Sequence, residues 1–418
     1  MAALAAAPES IPLPLSPTIA APESIPLPLS PTIAAPESIP LPLSPPAVAE
    51  PAVADPPYRR PNSPPEHDEI LHGGLTPEEE PWAARHDFLK ECGYLLRPRY
   101  RPGWKPSWTT YNQLSRAEDG IVMSASKHLL DAIRISDSKP VYLKVVSKSS
   151  SEITITRLLG KGDLSKDPRN HAVPLLDILE DVDDPEHAIL VLPLLRRLDS
   201  PGLASIREGV ALIEQTLEGL AFLHEHSVAH RDSAWGNIMM DARAMFPEGW
   251  HPQGYERKPD GQLIKNSSPS RTAVGGVRYF FIDFGLSSLR EDSTVGFSGQ
   301  ERAPELSYDV PYDPYKLDVY VLGMAYKQLL VDLNSGVDFV KPLIAYMTLE
   351  APEDRPTAAE AVERFQLIRS TMTETQLSQR LWPLKPEWIG IRIIKDAYYR
   401  YCDRRWTKKP KKELEPFV

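Results

Sequence analysis

His-Arg-Asp-Ser-Ala-Trp-Gly-Asn, residues 230–237, is the stretch on which the reading of this chain turns. Ahead of it, apolar residues at helical spacing (Val210, Ile213, Leu217, Leu220, Phe222) predict a buried helix over 206–225. Behind it, Ile238-Met239-Met240 reads as a short apolar strand. A loop tied at both ends can hold Asp232 and Asn237 toward one cleft. The carboxylate can accept a proton and the amide oxygen can ligate a hard cation. Asp and Asn are also ordinary turn formers, so the loop decides nothing without companions.

Those companions follow in order. Arg278-Tyr-Phe-Phe-Ile282 is a β-rich run leading into Asp283-Phe284-Gly285, and Ala303-Pro304-Glu305 comes later. Upstream, Lys144 sits inside the apolar strand Val141–Val146, with Glu152 on a predicted helix over 151–159. Together these stretches resemble the signature set of eukaryotic-type protein kinases. The insert between Asp241 and Arg278, the Arg-Pro-Arg-Tyr arm and Val-Pro-Tyr-Asp-Pro at 310–314 resemble a kinase-like group abundant in basidiomycete fungi.

The resemblance implies an α+β, bilobal fold with a small β-rich N-lobe and a larger helical C-lobe. It further implies an ATP- and Mg²⁺-dependent transfer of a phosphoryl group to a protein hydroxyl, with serine/threonine favoured. Asp232 orients the acceptor hydroxyl, Asn237 and Asp283 hold Mg²⁺, and Lys144, paired with Glu152, fixes the α and β phosphates. Leu192 falls at the gatekeeper position; the Pro193 carbonyl and the Leu195 amide take the adenine edge. Asp318 would hold the catalytic-loop backbone and Arg355 would pair with Glu305. Small-molecule phosphotransferases of related fold usually lack the last two features. Arg231 would receive a phosphate from Ser287, Ser288, Ser293, Thr294 or Ser298.

Two departures open the alternative of a pseudokinase, a kinase-fold binding or scaffold module. The segment Ala117–Ser126 holds one glycine, Gly120, where a phosphate-cradling loop is expected. Glu118 and Asp119 there would repel phosphates, predicting weak ATP affinity. Ala234 also stands where serine/threonine kinases carry a lysine.

The composition bounds the rest. The chain has 418 residues, 44 of them proline, and a net charge of −10, which argues against a general nucleic-acid binder. Cys92 and Cys402 alone make no disulfide framework and suit a reducing compartment, cytoplasmic or nuclear. No apolar run is long enough to span a membrane. Residues 7–45 repeat Ala-Pro-Glu-Ser-Ile-Pro-Leu-Pro-Leu-Ser-Pro-Thr-Ile-Ala nearly three times. Proline at that density predicts a disordered region over 1–75, which is either without specific role, a docking segment for proline-recognising partners, or a phosphoacceptor array at Ser16, Ser30 and Ser44. A helix and arm are expected over 76–112, the N-lobe over 113–195 and the C-lobe over 196–370 with an insert near 242–277. An extension with a basic tail fills 371–418. The arm's arginines and aromatics are expected to pack on the domain rather than bind nucleic acid.

Overall fold

The computed structural model describes residues 74–108, 117–120, 127–181, 184–289, 294–297, 299–385, 388–408 and 414–417. All lie in the second of two compact units, Ser63–Val418. The proline repeat, its serines and residues 409–413 of the basic tail fall outside the described residues.

Five antiparallel strands form the upper lobe, in the order β1-β2-β3-β5-β4. They are β1 (Tyr94–Leu95), β2 (Leu129–Arg134), β3 (Lys139–Ser147), β4 (Asp177–Glu180) and β5 (His187–Pro193). Strand alternation sends Leu130, Ala132, Val141, Leu143 and Val145 to one face. That face is covered by α1 (Glu80–Ala84) and α2 (His86–Glu91), which bury Trp82 and Leu89. Gly93, with φ +92°, ends the second helix, and the arm then pairs as β1. The sheet therefore takes its first strand from the arm, ahead of residue 113. The expected packing of the arm is also found. Arg99 is buried on Glu79 at 2.7 and 2.9 Å, and Tyr100 is 1% exposed.

The opposite face carries Lys144 and looks toward α3 (Ser151–Gly160), which starts where Ser150 Oγ accepts from the Glu152 amide at 3.1 Å. Below the sheet, α4 (Ile206–Glu225) is the central buried helix of the lower lobe, as its periodicity predicts. Around it, β6 (Arg196–Arg197) pairs with β8 (Ile238–Met240), and β8 with β9 (Tyr279–Phe281); β7 (Val228–Ala229) leads into the 230–237 loop. The segment between β8 and β9 is fastened to the lobe. Its Arg271, 2% exposed, donates to the carbonyls of Pro201 and Gly202 and to Glu208 on α4. Helix α5 (Pro314–Tyr326) buries Asp318 completely. This bilobal α+β arrangement is the protein-kinase fold. At the end of the chain, Glu415 meets Lys139 at 3.0 Å and Phe417 lies 3.8 Å beneath Arg243, so residues 414–417 touch both lobes.

Candidate active site

The four expected polar residues converge between the lobes. Lys144 Nζ reaches Glu152 Oε1 at 2.5 Å and Asp283 Oδ1 at 2.9 Å. Ile282 N donates to Asn237 O at 2.9 Å, which sets Asp283 and Asn237 on adjoining backbones. Asn237 Nδ2 in turn donates to Asp232 Oδ2 at 2.8 Å. Burial presses the Lys144 ammonium to lose its proton, but Glu152 and Asp283 outweigh it and hold the pKa above the usual lysine value. For Asp283 burial acts upward and Lys144 downward, and the lysine prevails. Glu152 goes the other way, burial lifting it despite the same partner.

Support for the loop comes from below. Asp318 accepts from the amides of His230 at 2.7 Å and Arg231 at 2.6 Å. Arg231 is left-handed, with φ +63°, a conformation that costs a non-glycine residue free energy and persists only where neighbours impose it. The His230 ring stands 5.5 and 5.0 Å from Phe281 and Phe284. Arg355 clasps Glu305 at 2.5 and 2.9 Å, the expected bidentate pair. The Arg231 guanidinium donates to Leu286 O at 3.0 Å; Ser287 is buried, while Ser293 and Ser298 lie outside the described residues.

One expectation is corrected. Glu118 and Asp119 do not face phosphates. Asp119 is buried and accepts from Trp104 Nε1 at 3.0 Å and Ser107 N at 2.9 Å, while Glu118 pairs with Arg97 at 3.2 Å. Residues 121–126 of that segment are outside the described residues.

Two groups of residues were not anticipated. Gln300 lies over the catalytic loop, donating its backbone N to Asp232 Oδ1 at 2.8 Å and its Nε2 to Oδ2 at 3.2 Å. A Cβ on Gly236 would come 2.6 Å from Gln300 Oε1. The second group roofs the cleft. Tyr142 is two residues from Lys144 on the same face of β3, opposite Leu192 on β5 and Asp131 on β2. Asp131 binds Arg97 Nε from the arm at 2.8 Å, and Arg97 Nη1 also contacts His251 Nε2 of the 242–277 insert. His251 is fully buried. The phosphate and metal end of the cleft, with Lys144, Asp283 and Asn237, fits Mg-ATP. At the base end the same face carries Tyr142 and Asp131, with Arg97 bound to Asp131 and His251 to Arg97. That bulky and charged lining does not fit a purine, which needs an apolar one.

Burial, then the charges of Arg97 and Arg257, push His251 down to about 3, with Glu118 the nearest carboxylate at 4.0 Å. A lowered histidine stabilises the fold as the neutral ring. That stability is complete above the ordinary value of 6.5 and fades as pH falls toward 3. His251→Gln cannot titrate. The excess thermal midpoint of wild type over this variant is therefore expected to shrink between about pH 7.5 and pH 5; a constant gap in differential scanning fluorimetry would refute it.

No protein-family model matches the chain. Among curated proteins it is similar to a light-sensor protein kinase of Ceratodon purpureus, 29% identical over 153 residues, which are 32% of this chain and 10% of that protein. It is similar to serine/threonine-protein kinase 17A of Oryctolagus cuniculus, 26% identical over 177 residues, 40% of this chain and 42% of the relative. Serine/threonine-protein kinase ppk8 of Schizosaccharomyces pombe is 29% identical over 112 residues, 27% of this chain and 17% of the relative. The chain thus spans less than half the length of each. A solved kinase domain superposes with a TM-score of 0.39 at 16% identity, covering 58% of this chain and 93% of that one. Among the described residues no helix is long and apolar enough to cross a membrane.

Proposed function

We propose that this chain is an ATP- and Mg²⁺-dependent protein kinase that phosphorylates a protein hydroxyl, serine or threonine by analogy with two of its relatives. The observation that carries the reading is the pair of polar contacts Lys144–Asp283 and Asn237–Asp232, set on adjoining backbones, with Glu152 holding the lysine. Mg-ATP, when bound, supplies the transferable phosphoryl group. In this reading Lys144 binds phosphate oxygens, Asp283 and Asn237 hold the metal, and Asp232 orients the acceptor hydroxyl and takes its proton. The Pro193 carbonyl and Leu195 amide take the base once the cleft opens. The long insert and arm favour the fungal kinase-like group within that class.

A second reading has its own support. Tyr142, Arg97 and His251 at the base end favour a pseudokinase that binds partners with a permanently closed cleft. Incubation with Mg-[γ-³²P]ATP separates the two. Autophosphorylation by wild type that vanishes in Asp232→Ala supports the kinase; equal, background labelling of both rejects it and favours the scaffold.

A further inference from the structure

We infer that the arm and the insert form a latch, Arg97 against His251, which shuts the base end of the nucleotide cleft and must part before a purine nucleotide can bind. The inference rests on the kinase reading and adds to it a means of control. Three observations converge. Asp131 lies on the same face of the sheet as Lys144, and Arg97, which follows β1, pairs with it at 2.8 Å over the roof of the cleft. A purine needs a flat apolar surface in that place. Second, His251 enters from the lower lobe and is 0% exposed, although it belongs to a connection between two strands that has no need to reach the upper lobe. Its contact with Arg97 therefore bridges elements that must move apart if the cleft is to open. Third, the closure is imperfect. Among the described residues, buried Asp131 Oδ1 has no hydrogen-bond partner. An orphaned carboxylate oxygen is costly in the dry interior and is relieved when water or a ligand reaches it. The closed form thus carries a penalty that opening removes, as a device poised between two states requires.

The latch taxes nucleotide affinity by the fraction of molecules that are open. Each tenfold in apparent affinity corresponds to about 1.4 kcal/mol of closure. The test is equilibrium binding of a fluorescent Mg-ATP analogue, read by anisotropy, which needs no catalytic activity. His251→Ala removes one half of the latch without touching the sheet. The triple substitution Arg97→Leu/Glu118→Gln/Asp131→Val removes the other half together with both carboxylates that Arg97 pairs, so no buried charge is left unpaired. Buried ion pairs exchanged for uncharged residues are often neutral to stability. Both variants are expected to bind at least about tenfold more tightly than wild type while keeping a single cooperative melt. Should one variant fail to fold, the other still decides. Wild-type affinity in a folded variant overturns the latch and leaves the kinase reading intact, provided that Asp232-dependent labelling persists. If neither wild type nor any folded variant binds the probe, the latch falls together with the nucleotide reading.

Discussion

Asp318→Ala is expected to lower the thermal midpoint by about 10 °C and to reduce phosphoryl transfer at least about a hundredfold. The size follows from what the carboxylate holds. It is 0% exposed and accepts from two consecutive backbone amides, His230 and Arg231, and its Oδ2 lies 3.0 Å from His224 Nε2. Hydrogen bonds to a charged acceptor contribute about 1.5–3 kcal/mol each, and the amides left behind would be buried without partners. The second consequence is geometric. Arg231, held at φ +63°, directly precedes Asp232, and nothing else described binds its amide. Released from Asp318, the loop relaxes toward an unstrained conformation and carries the Asp232 carboxylate away from the acceptor. Amide hydrogen exchange at His230 and Arg231 checks this without any assay of activity. Unchanged protection at both amides in a folded Asp318→Ala protein would refute the account.

This support network was legible in the chain because each part combines a strong local pattern with a chemical need. A helix with apolar residues at 210, 213, 217 and 220 had to be buried, and the loop after it had to be tied down. Lys144 and Glu152 were likewise readable, the lysine on an apolar strand and the glutamate on the helix that follows it. The roof was not read, although part of its signal was present. Strand parity alone places Tyr142 and Lys144 on one face, and a bulky ring there could have been weighed against the space a purine needs. Arg97 and His251 gave no such signal. They are 154 positions apart in sequence, and only the folding of the insert against the upper lobe brings them together. Glu118 and Asp119 were misread because sequence position says nothing about where a carboxylate points. Their partners Arg97, Trp104 and Ser107 come from the arm, whose path is set by tertiary packing.

Gln300 bears on the missing lysine. Ala234 is 0% exposed and packs among Ala303, Leu306, Leu317 and Val321, so a basic side chain there would be buried in an apolar cluster. Gln300 fills the gap from the other side, spanning Asp232 and the space above Gly236 with a neutral carboxamide. Gly299, at φ +98°, allows the approach; a Cβ on it would sit 3.2 Å from Arg231 O and 3.3 Å from Asp232 Oδ1. Gln300→Ala is therefore expected to lower kcat with a serine peptide acceptor by about tenfold to a hundredfold, leaving the KM for Mg-ATP and the melting temperature unchanged. Gln300→Glu places a second carboxylate against Asp232. Like charges raise the pKa of such a pair, so the acid limb of the pH–rate profile moves to higher pH. In Gln300→Lys a long donor reaches the same oxygen and brings positive charge, and its kcat should equal or exceed that of wild type. A purely structural glutamine predicts a different pattern, in which all three variants lose stability together and the lysine rescues nothing. The pH shift and the rescue are thus the measurements that assign Gln300 to the acceptor side of the site, and an unmoved pH profile in Gln300→Glu would withdraw that assignment.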